Sequence, residues 1–490
     1  MERVKNFLFK NSGVRQTIVK NTFWITLGTT LTKIIRVLVI IYVARILGTE
    51  GYGIFTYVMS LVTIFTLFSD IGLTNILTRE LTKRTEEKTE YFSTALIIKL
   101  LFLIGTVILI AIFAPLISKF EEAKPLIMIV AITIAFDSLR SFFYSITRSQ
   151  NKMEMEAGLN IITEVLTTII VLVIFFKYPD VKSLAYSFLA GNTIGLMITL
   201  LFLRSYLTGI FQNFRKYLVK PIIQASWPFA IMGIFGVLMT NIDSVIIAFY
   251  TNAHVLGLYA AAQRPISLLY ILPGFLSVGL FPIISKFSHN KEEKKLSSIV
   301  EKSILISLAM ALPITVGGII MAEPLINVSF GYEFIGAALT FQILLLSLLI
   351  VFPSAMINDL ILAEDKQKIF IRSSFFGAAT NIILDLILIP ILGIAGSAIA
   401  TVAALLMVNT ILFAEIKKTT KFNILKGMRK MLIATLIMAL STYALKLVFA
   451  PLILIITVSA LLYFGLLFFM KEQILEDIKL TFQTKNETVS

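Results

Sequence analysis

Fourteen apolar stretches follow one another along this sequence, at roughly 21–47, 52–78, 91–118, 124–148, 156–177, 182–206, 221–250, 254–285, 297–322, 334–363, 368–390, 394–416, 427–449 and 450–470. Each is about 20 residues or longer, enough as a helix to cross the roughly 30 Å hydrocarbon core of a bilayer. Helix is forced, because each unpaired backbone group in lipid costs several kcal/mol. The short alternating segments of a membrane β-barrel are absent. Composition agrees: 57% of residues are hydrophobic and only 15% are charged, against about 25% charged in a soluble domain. The expected fold class is therefore all-α integral membrane, with about fourteen spans. The basic, polar start, with Arg3, Lys5, Lys10, Arg15 and Lys20 ahead of a long first apolar run, reads as the lead-in to a retained span and not as a cleavable signal peptide.

Lys and Arg set the expected orientation. With the amino terminus in the cytoplasm, the inward segments hold 32 of the 43 basic residues. The outward segments hold only Lys119, Lys124, Lys177, Lys182 and Lys446. Both termini are thus expected inside a cell membrane. The formal charge of +14 comes from short loops near the bilayer, where anionic lipid headgroups suffice as partners. Nucleic acid is not implied. The chain contains no Cys and has only His254 and His289 as histidines. Disulfides, thiolate metal sites and an imidazole-built metal centre are excluded or disfavoured, and no cofactor is expected.

Six cations remain inside the spans: Lys33, Arg36, Arg45, Lys99, Arg140 and Arg264. A mid-bilayer charge usually faces a protein interior or a water-filled cavity. Arg45 and Lys99, near span ends, read as snorkelling to the interface. Arg140 follows Asp137 by three residues and reads as an intrahelical pair. Lys33 and Arg36, also three apart, share one face of the first span.

The sequence also reads as an internal duplication. Arg45–Tyr57 (RILGTEGYGIFTY) aligns with Phe249–Ala261 (FYTNAHVLGLYAA), with Gly53 opposite Gly257. Ala114–Ile117 then aligns with Glu323–Ile326, and Asn151–Lys152 with Asp365–Lys366. The expected organisation is an N-lobe at 1–206, a C-lobe at 221–416, two appended spans at 427–470 and a cytoplasmic tail at 471–490. Two six-helix lobes of equal orientation would enclose a site between them.

Ala44–Tyr57 (ARILGTEGYGIFTY) followed by Phe68–Leu73 (FSDIGL) resembles the opening of the oligosaccharide flippases of polysaccharide biosynthesis. These include the O-antigen flippases, within the wider group of multidrug and toxin extruders and lipid II flippases. The resemblance implies a central cavity open alternately to each side, and a polyprenyl-linked sugar moved from the inner to the outer leaflet. Glycan polymerases or transferases are implied as partners. The lipid II flippases carry arginines on spans 1, 2 and 8. Lys33, Arg36 and Arg264 fall in the matching regions of spans 1 and 8, whereas span 2 has no mid-span cation.

The residue chemistry points the same way. The head group of a lipid-linked oligosaccharide is an anionic phosphate or pyrophosphate. A guanidinium fork binds such oxygens bidentately, so Arg36, Lys33 and Arg264 are the expected head-group ligands. Asp70, Asp243, Glu164 and Asp385 are expected either to couple an ion or to serve as structural partners. No catalytic group is expected. No G-x-x-x-x-G-K-[ST] loop is present, and no outward loop is long enough to house a transferase site. The alternative reading is a H⁺- or Na⁺-coupled antiporter of drugs or metabolites with the same architecture. The cationic interior disfavours it, since such drugs are commonly cations.

Overall fold

The computed structural model describes residues 9–470, apart from 10, 12, 84–86, 208, 211, 421 and 423–424. The expected tail at 471–490, and Arg3, Lys5 and Lys10 near the start, lie outside the described residues. Every described element is helical. Among the described residues, twelve helices are long and apolar enough to cross a membrane, and they coincide with the third to fourteenth stretches expected from hydropathy. This is a multi-pass membrane protein.

The chain packs as two units. One runs to Ala261 and also takes in Asn381–Ser397; the second comprises Ala262–Thr380 and the chain from Ala398 onward. The first unit contains α1 (Val14–Phe65), α2 (Leu73–Lys83), α3 (Lys88–Ile117), α4 (Lys124–Ser149), α5 (Met153–Lys177), α6 (Val181–Phe202) and α7 (Lys216–Tyr250). It also holds the first half of α8 (Ala253–Leu269).

The first two expected spans are drawn differently from their hydropathy. They begin as one helix of 52 residues, α1. At about 1.5 Å per residue such a helix far exceeds a bilayer. It is divided at Gly48, the one non-helical residue inside it, with φ 68° and ψ −179°. Only glycine adopts that conformation freely, so the boundary near Glu50 is a glycine break. The second expected span, 52–78, is itself interrupted. A short 3₁₀ turn at Thr66–Phe68 leads to a bend at Ser69–Gly72. Gly72 has φ +80°, and its amide donates to Asp70 O at 2.6 Å. The Asp70 carboxylate then accepts from the Thr74 amide at 3.3 Å and its hydroxyl at 2.5 Å. Asp70 therefore serves the unpaired donors at the start of α2. The FSDIGL motif is a helix break.

Small residues let the helices of this unit approach closely, as membrane packing favours. A Cβ on Gly28 of α1 would lie 2.8 Å from Ala157 Cβ on α5. Gly191 and Gly195, one turn apart on α6, press against Thr167 and Thr163 of α5. The same device operates reciprocally in the aligned motifs. A Cβ on Gly53 would stand 1.8 Å from Ala253 O, and one on Gly257 would stand 1.9 Å from Thr49 O. Thr49 and Ala253 occupy equivalent places in the two motifs, as do Gly53 and Gly257. A local two-fold relation produces this kind of mutual contact. Thr49 Oγ1 and His254 Nδ1 share a hydrogen bond of 2.6 Å at the crossing. Asn151 and Asp365, the aligned turn residues, also share a left-handed φ, 56° and 55°.

The second unit begins with the rest of α8 and continues through α9 (Leu272–His289), α10 (Glu293–Ile320), α11 (Ala322–Phe330), α12 (Ala338–Leu345) and α13 (Leu348–Ala363). Parts of α14 (Lys368–Leu392) and α15 (Ile394–Ile416) follow, then α16 (Leu425–Leu447) and α17 (Leu452–Phe469). The eighth expected span is interrupted only briefly: α8 ends at Leu269 and α9 begins at Leu272, with Pro273 in its first turn and Ile271 between them at helical φ and ψ. One buried core joins Ile284, Ile304, Met356 and Ile416; a second joins Leu305, Met431, Ala434 and Tyr463. Many large apolar side chains stay outside either core, such as Phe449 at 94% and Phe176 at 84% exposure. Lipid is the solvent that accommodates them.

Candidate functional site

Arg36 stands midway along the first half of α1, with its side chain 48% exposed. Its Nε donates to Glu164 Oε1 at 3.0 Å, and its Nη2 donates to Glu164 Oε2 at 2.6 Å. Glu164 lies on α5, held there by the glycine contacts of α1 and α6, and its side chain is only 6% exposed. The carboxylate grips one edge of the guanidinium in a bidentate fork. Asp137 of α4 lies near enough for its charge to act on Arg36. It also pairs with Arg140, one turn along the same helix. The side chains of Asp137 and Arg140 are 49% and 6% exposed. Charges therefore alternate along Glu164, Arg36, Asp137 and Arg140 and sum to zero. Lys33, one turn before Arg36, is exposed.

A second polar cluster sits deep in the same unit. Asp243 on α7 and Asp385 on α14 are 1% and 0% exposed. The Asp385 carboxyl lies near the Asp243 carboxyl and the Ser397 hydroxyl, and neither of its oxygens has a hydrogen-bond partner among the described residues. Tyr259 Oη, fully buried on α8, donates to Asp243 Oδ2 at 2.6 Å. Asn381, one turn before Asp385, is 1% exposed, and neither of its amide atoms has a hydrogen-bond partner among the described residues. Two carboxylates this close in a low dielectric cannot both remain charged unless a proton or a cation lies between them. The Asn381 amide oxygen adds a further neutral acceptor.

The expectation that Lys99 snorkels is overturned. Its side chain is fully buried, with Nζ 3.1 Å from Asp70 Oδ2 and donating to Ser138 Oγ at 2.7 Å. It lies about three turns into α3, too deep for the stem to carry the ammonium to the interface, so a carboxylate comes to it instead. Lys99 thereby ties the FSDIGL break to α3 and α4. Replacing Lys99 by Met should destabilise the protein by about 3 kcal/mol, because it strands the Asp70 carboxylate. Adding Asp70→Asn should recover part of the loss in thermal unfolding; equal losses in the single and double variants would show that the pair is not its source.

The candidate residues are thus distributed over several places. Arg36 meets Glu164, Asp243 meets Asp385, and Asp70 meets Lys99. Arg264 is half-buried on the part of α8 that belongs to the second unit. Sequence reasoning paired Arg140 with Asp137, as found. It did not foresee the burial of Arg140, the part played by Tyr259, or the meeting of α7 with α14. Asn381 and Asp385 on one helical face were the visible signal. Their partner Asp243, about 140 residues earlier in the chain, was a candidate in its own right, but nothing in the sequence paired the two.

Solved structures confirm the architecture. A lipid II flippase in an inward closed conformation superposes with a TM-score of 0.73 at 20% identity, covering 92% of this chain and 98% of that one. An inward-facing multidrug transporter of the MATE family superposes at 0.67 with 15% identity, covering 81% and 100%. Among curated proteins, one of Haloferax volcanii named as a probable low-salt glycan biosynthesis flippase is 25% identical over 377 residues, 77% of this chain and 78% of its own. A capsular polysaccharide biosynthesis protein of Staphylococcus aureus is 19% identical over 389 residues, 78% of this chain and 95% of its own. A MatE family model matches residues 228–387. The model of the polysaccharide biosynthesis proteins matches residues 18–288, more than half of the chain, and the protein belongs to that family.

Proposed function

We propose that this protein is a flippase for lipid-linked oligosaccharides. It carries polyprenyl phosphate or pyrophosphate sugars from the inner to the outer leaflet by alternating access, for the assembly of a surface glycan. The protein resides in the cell membrane with both termini in the cytoplasm, and it transports without catalysing a covalent step. Arg36 carries the reading: a mid-span guanidinium, its side chain 48% exposed, is held in a bidentate fork by a buried carboxylate. A guanidinium so placed fits phosphate oxygens. Lys33 and Arg264 complete the set of head-group ligands. Asp243, Asp385 and Asn381, with Tyr259 behind them, take up a monovalent cation or a proton whose gradient drives the cycle. Family membership and relatives named for glycan assembly support this reading.

Proteoliposomes containing a fluorescent polyprenyl-pyrophosphate oligosaccharide test it. Wild-type protein should equilibrate the lipid between leaflets, read by protection of the sugar from an added lectin. An imposed Na⁺ or H⁺ gradient should bias the distribution, and Asp385→Asn should slow the gradient-driven component roughly tenfold. A protein that leaves the lipid in place yet extrudes organic cations is an antiporter, and the flippase reading falls.

A further inference from the structure

A groove of about 720 Å³ runs along the seam between α3 and the start of α7. Arg215, the residue before α7, fixes its place in the fold. The Arg215 amide donates to Thr94 Oγ1 at 3.0 Å, and its Nε donates to Glu90 Oε1 at 2.9 Å. The first turn of α7 therefore lies beside the second turn of α3, and both helices enter the membrane from the same side. Ile97, Ile98 and Leu101 form the α3 wall, and Val219 and Ile223 form the α7 wall. Leu101 is 66% exposed, so the groove is open along its apolar length. The polar lining is Lys216, Lys220 and Gln224. Spaced four apart, these three make one row along α7, a turn between each and the next, and all are exposed. Neither lysine forms an ion pair among the described residues; Glu90 is bound to Arg215 at 2.7 Å. Two like charges one turn apart disfavour each other, and an anion shared between them removes the conflict.

We propose that this groove holds one phospholipid with an anionic head group, taken from the leaflet in which α3 and α7 begin. In the orientation proposed above, that is the inner leaflet. The polarity of the groove falls with depth in the order of such a lipid's own parts. The phosphate sits between the ammonium groups of Lys216 and Lys220. The Gln224 amide, one turn deeper, donates to an ester or ether oxygen of the glycerol. One hydrocarbon chain follows Ile98, Leu101 and Ile223. Basic pockets between membrane helices take acidic lipid head groups in this way, with the lysine stems on apolar surface and their ammonium groups at the interface. A zwitterionic head group would bring an ammonium of its own to two others. A lipid-linked sugar is a poorer fit, because apolar walls offer a hydrophilic glycan no hydrogen bonds. The groove shares no residue with the Arg36–Glu164 pair or the Asp243–Asp385 cluster, and its lipid is not cargo. The bound lipid bridges α3 to the first turns of α7, so the packing of that seam depends on membrane composition.

Native mass spectrometry of the full-length protein, released from a neutral detergent, tests the site. The probes are dioleoyl phosphatidylglycerol and dioleoyl phosphatidylcholine. Wild-type protein should bind one phosphatidylglycerol about tenfold more tightly than phosphatidylcholine. Lys216→Gln combined with Lys220→Gln should weaken phosphatidylglycerol roughly thirtyfold, at about 1 kcal/mol for each lysine beside an anionic head group. Lys291→Gln combined with Lys294→Gln removes the same charge from exposed positions elsewhere and should leave binding unchanged. Ile223→Trp fills the groove, keeps both lysines and should also lose the lipid; if it fails to fold, the charge variants decide. Equal binding by wild type and the variant lacking Lys216 and Lys220 overturns the site. An equal loss in the variant lacking Lys291 and Lys294 overturns it as well, because acidic lipid is then drawn only to a basic protein in general. A preference for farnesyl pyrophosphate over phosphatidylglycerol that depends on Lys216 and Lys220 also overturns it, and makes the occupant a prenyl pyrophosphate.

Discussion

Arg36→Ala is expected to abolish flipping of a pyrophosphate-linked oligosaccharide, and to do so through two separable effects. It removes the guanidinium that grips the head group. It also leaves the Glu164 carboxylate, 6% exposed, without the fork at 3.0 and 2.6 Å that satisfied it. Breaking one side of a buried pair costs about 3 kcal/mol, chiefly from the stranded charge. Glu164→Gln restores the balance by removing that charge. The double variant should therefore regain most of the lost thermal stability and none of the transport. Arg36→Lys keeps the charge but gives up the fork, and should retain a small residual rate. The lectin-protection assay, run beside thermal unfolding, separates the two effects. Substantial flipping in the stable double variant would show that Arg36 is only a structural partner of Glu164.

Gly257→Ala and Gly53→Ala are expected to be the most damaging single methyl additions among the glycines of the described residues. The Gly257 Cβ would need to sit 1.9 Å from Thr49 O, and the atom in the way is backbone, which cannot rotate aside. Gly53→Ala meets the same obstacle at Ala253 O, 1.8 Å away. Either change forces α8 and the second half of α1 apart at a crossing where Tyr52 and Tyr259 are fully buried. Overpacking of this kind costs about 3 kcal/mol, a drop in the unfolding midpoint of roughly 5 °C or more. Because the two contacts are reciprocal, the double variant should lose far less than the sum: once the helices have separated, the second methyl meets open space. Additive losses would show that the crossings yield independently. Gly233→Ala is the control, since a Cβ there meets nothing within 4 Å.

Much of this protein was legible from one-dimensional pattern. Lipid imposes a length of about 20 apolar residues on any spanning helix, so the fourteen stretches announced themselves with soft ends. The breaks that bound and interrupt the first two did not, because hydropathy averages over a window and cannot register a single residue's φ. Gly48 and Gly72 reshape them without altering the apolar count. Gly53 and Gly257 were visible as aligned letters, yet nothing in the letters says that each abuts the other motif's carbonyl.

The charged residues divide along the same line. Composition and placement alone establish that Arg36, Lys99, Arg140 and the six acids Asp70, Asp137, Glu164, Asp243, Asp359 and Asp385 lie within apolar runs. Their cost in lipid guarantees that each has a partner, a cavity or both. Pairs within one helix, such as Asp137 and Arg140, follow from helical periodicity. Pairs between helices do not. Arg36 with Glu164, Lys99 with Asp70, and Asp243 with Asp385 join residues distant in sequence. Which helix faces which is set by small-residue contacts and backbone breaks that leave no periodic trace. The sequence by itself determined that this chain lives in a membrane, spans it many times as helices and carries unavoidable interior charge. Only the tertiary structure decided which of those charges cancel, because cancellation depends on ångström distances between helices that the order of residues does not encode.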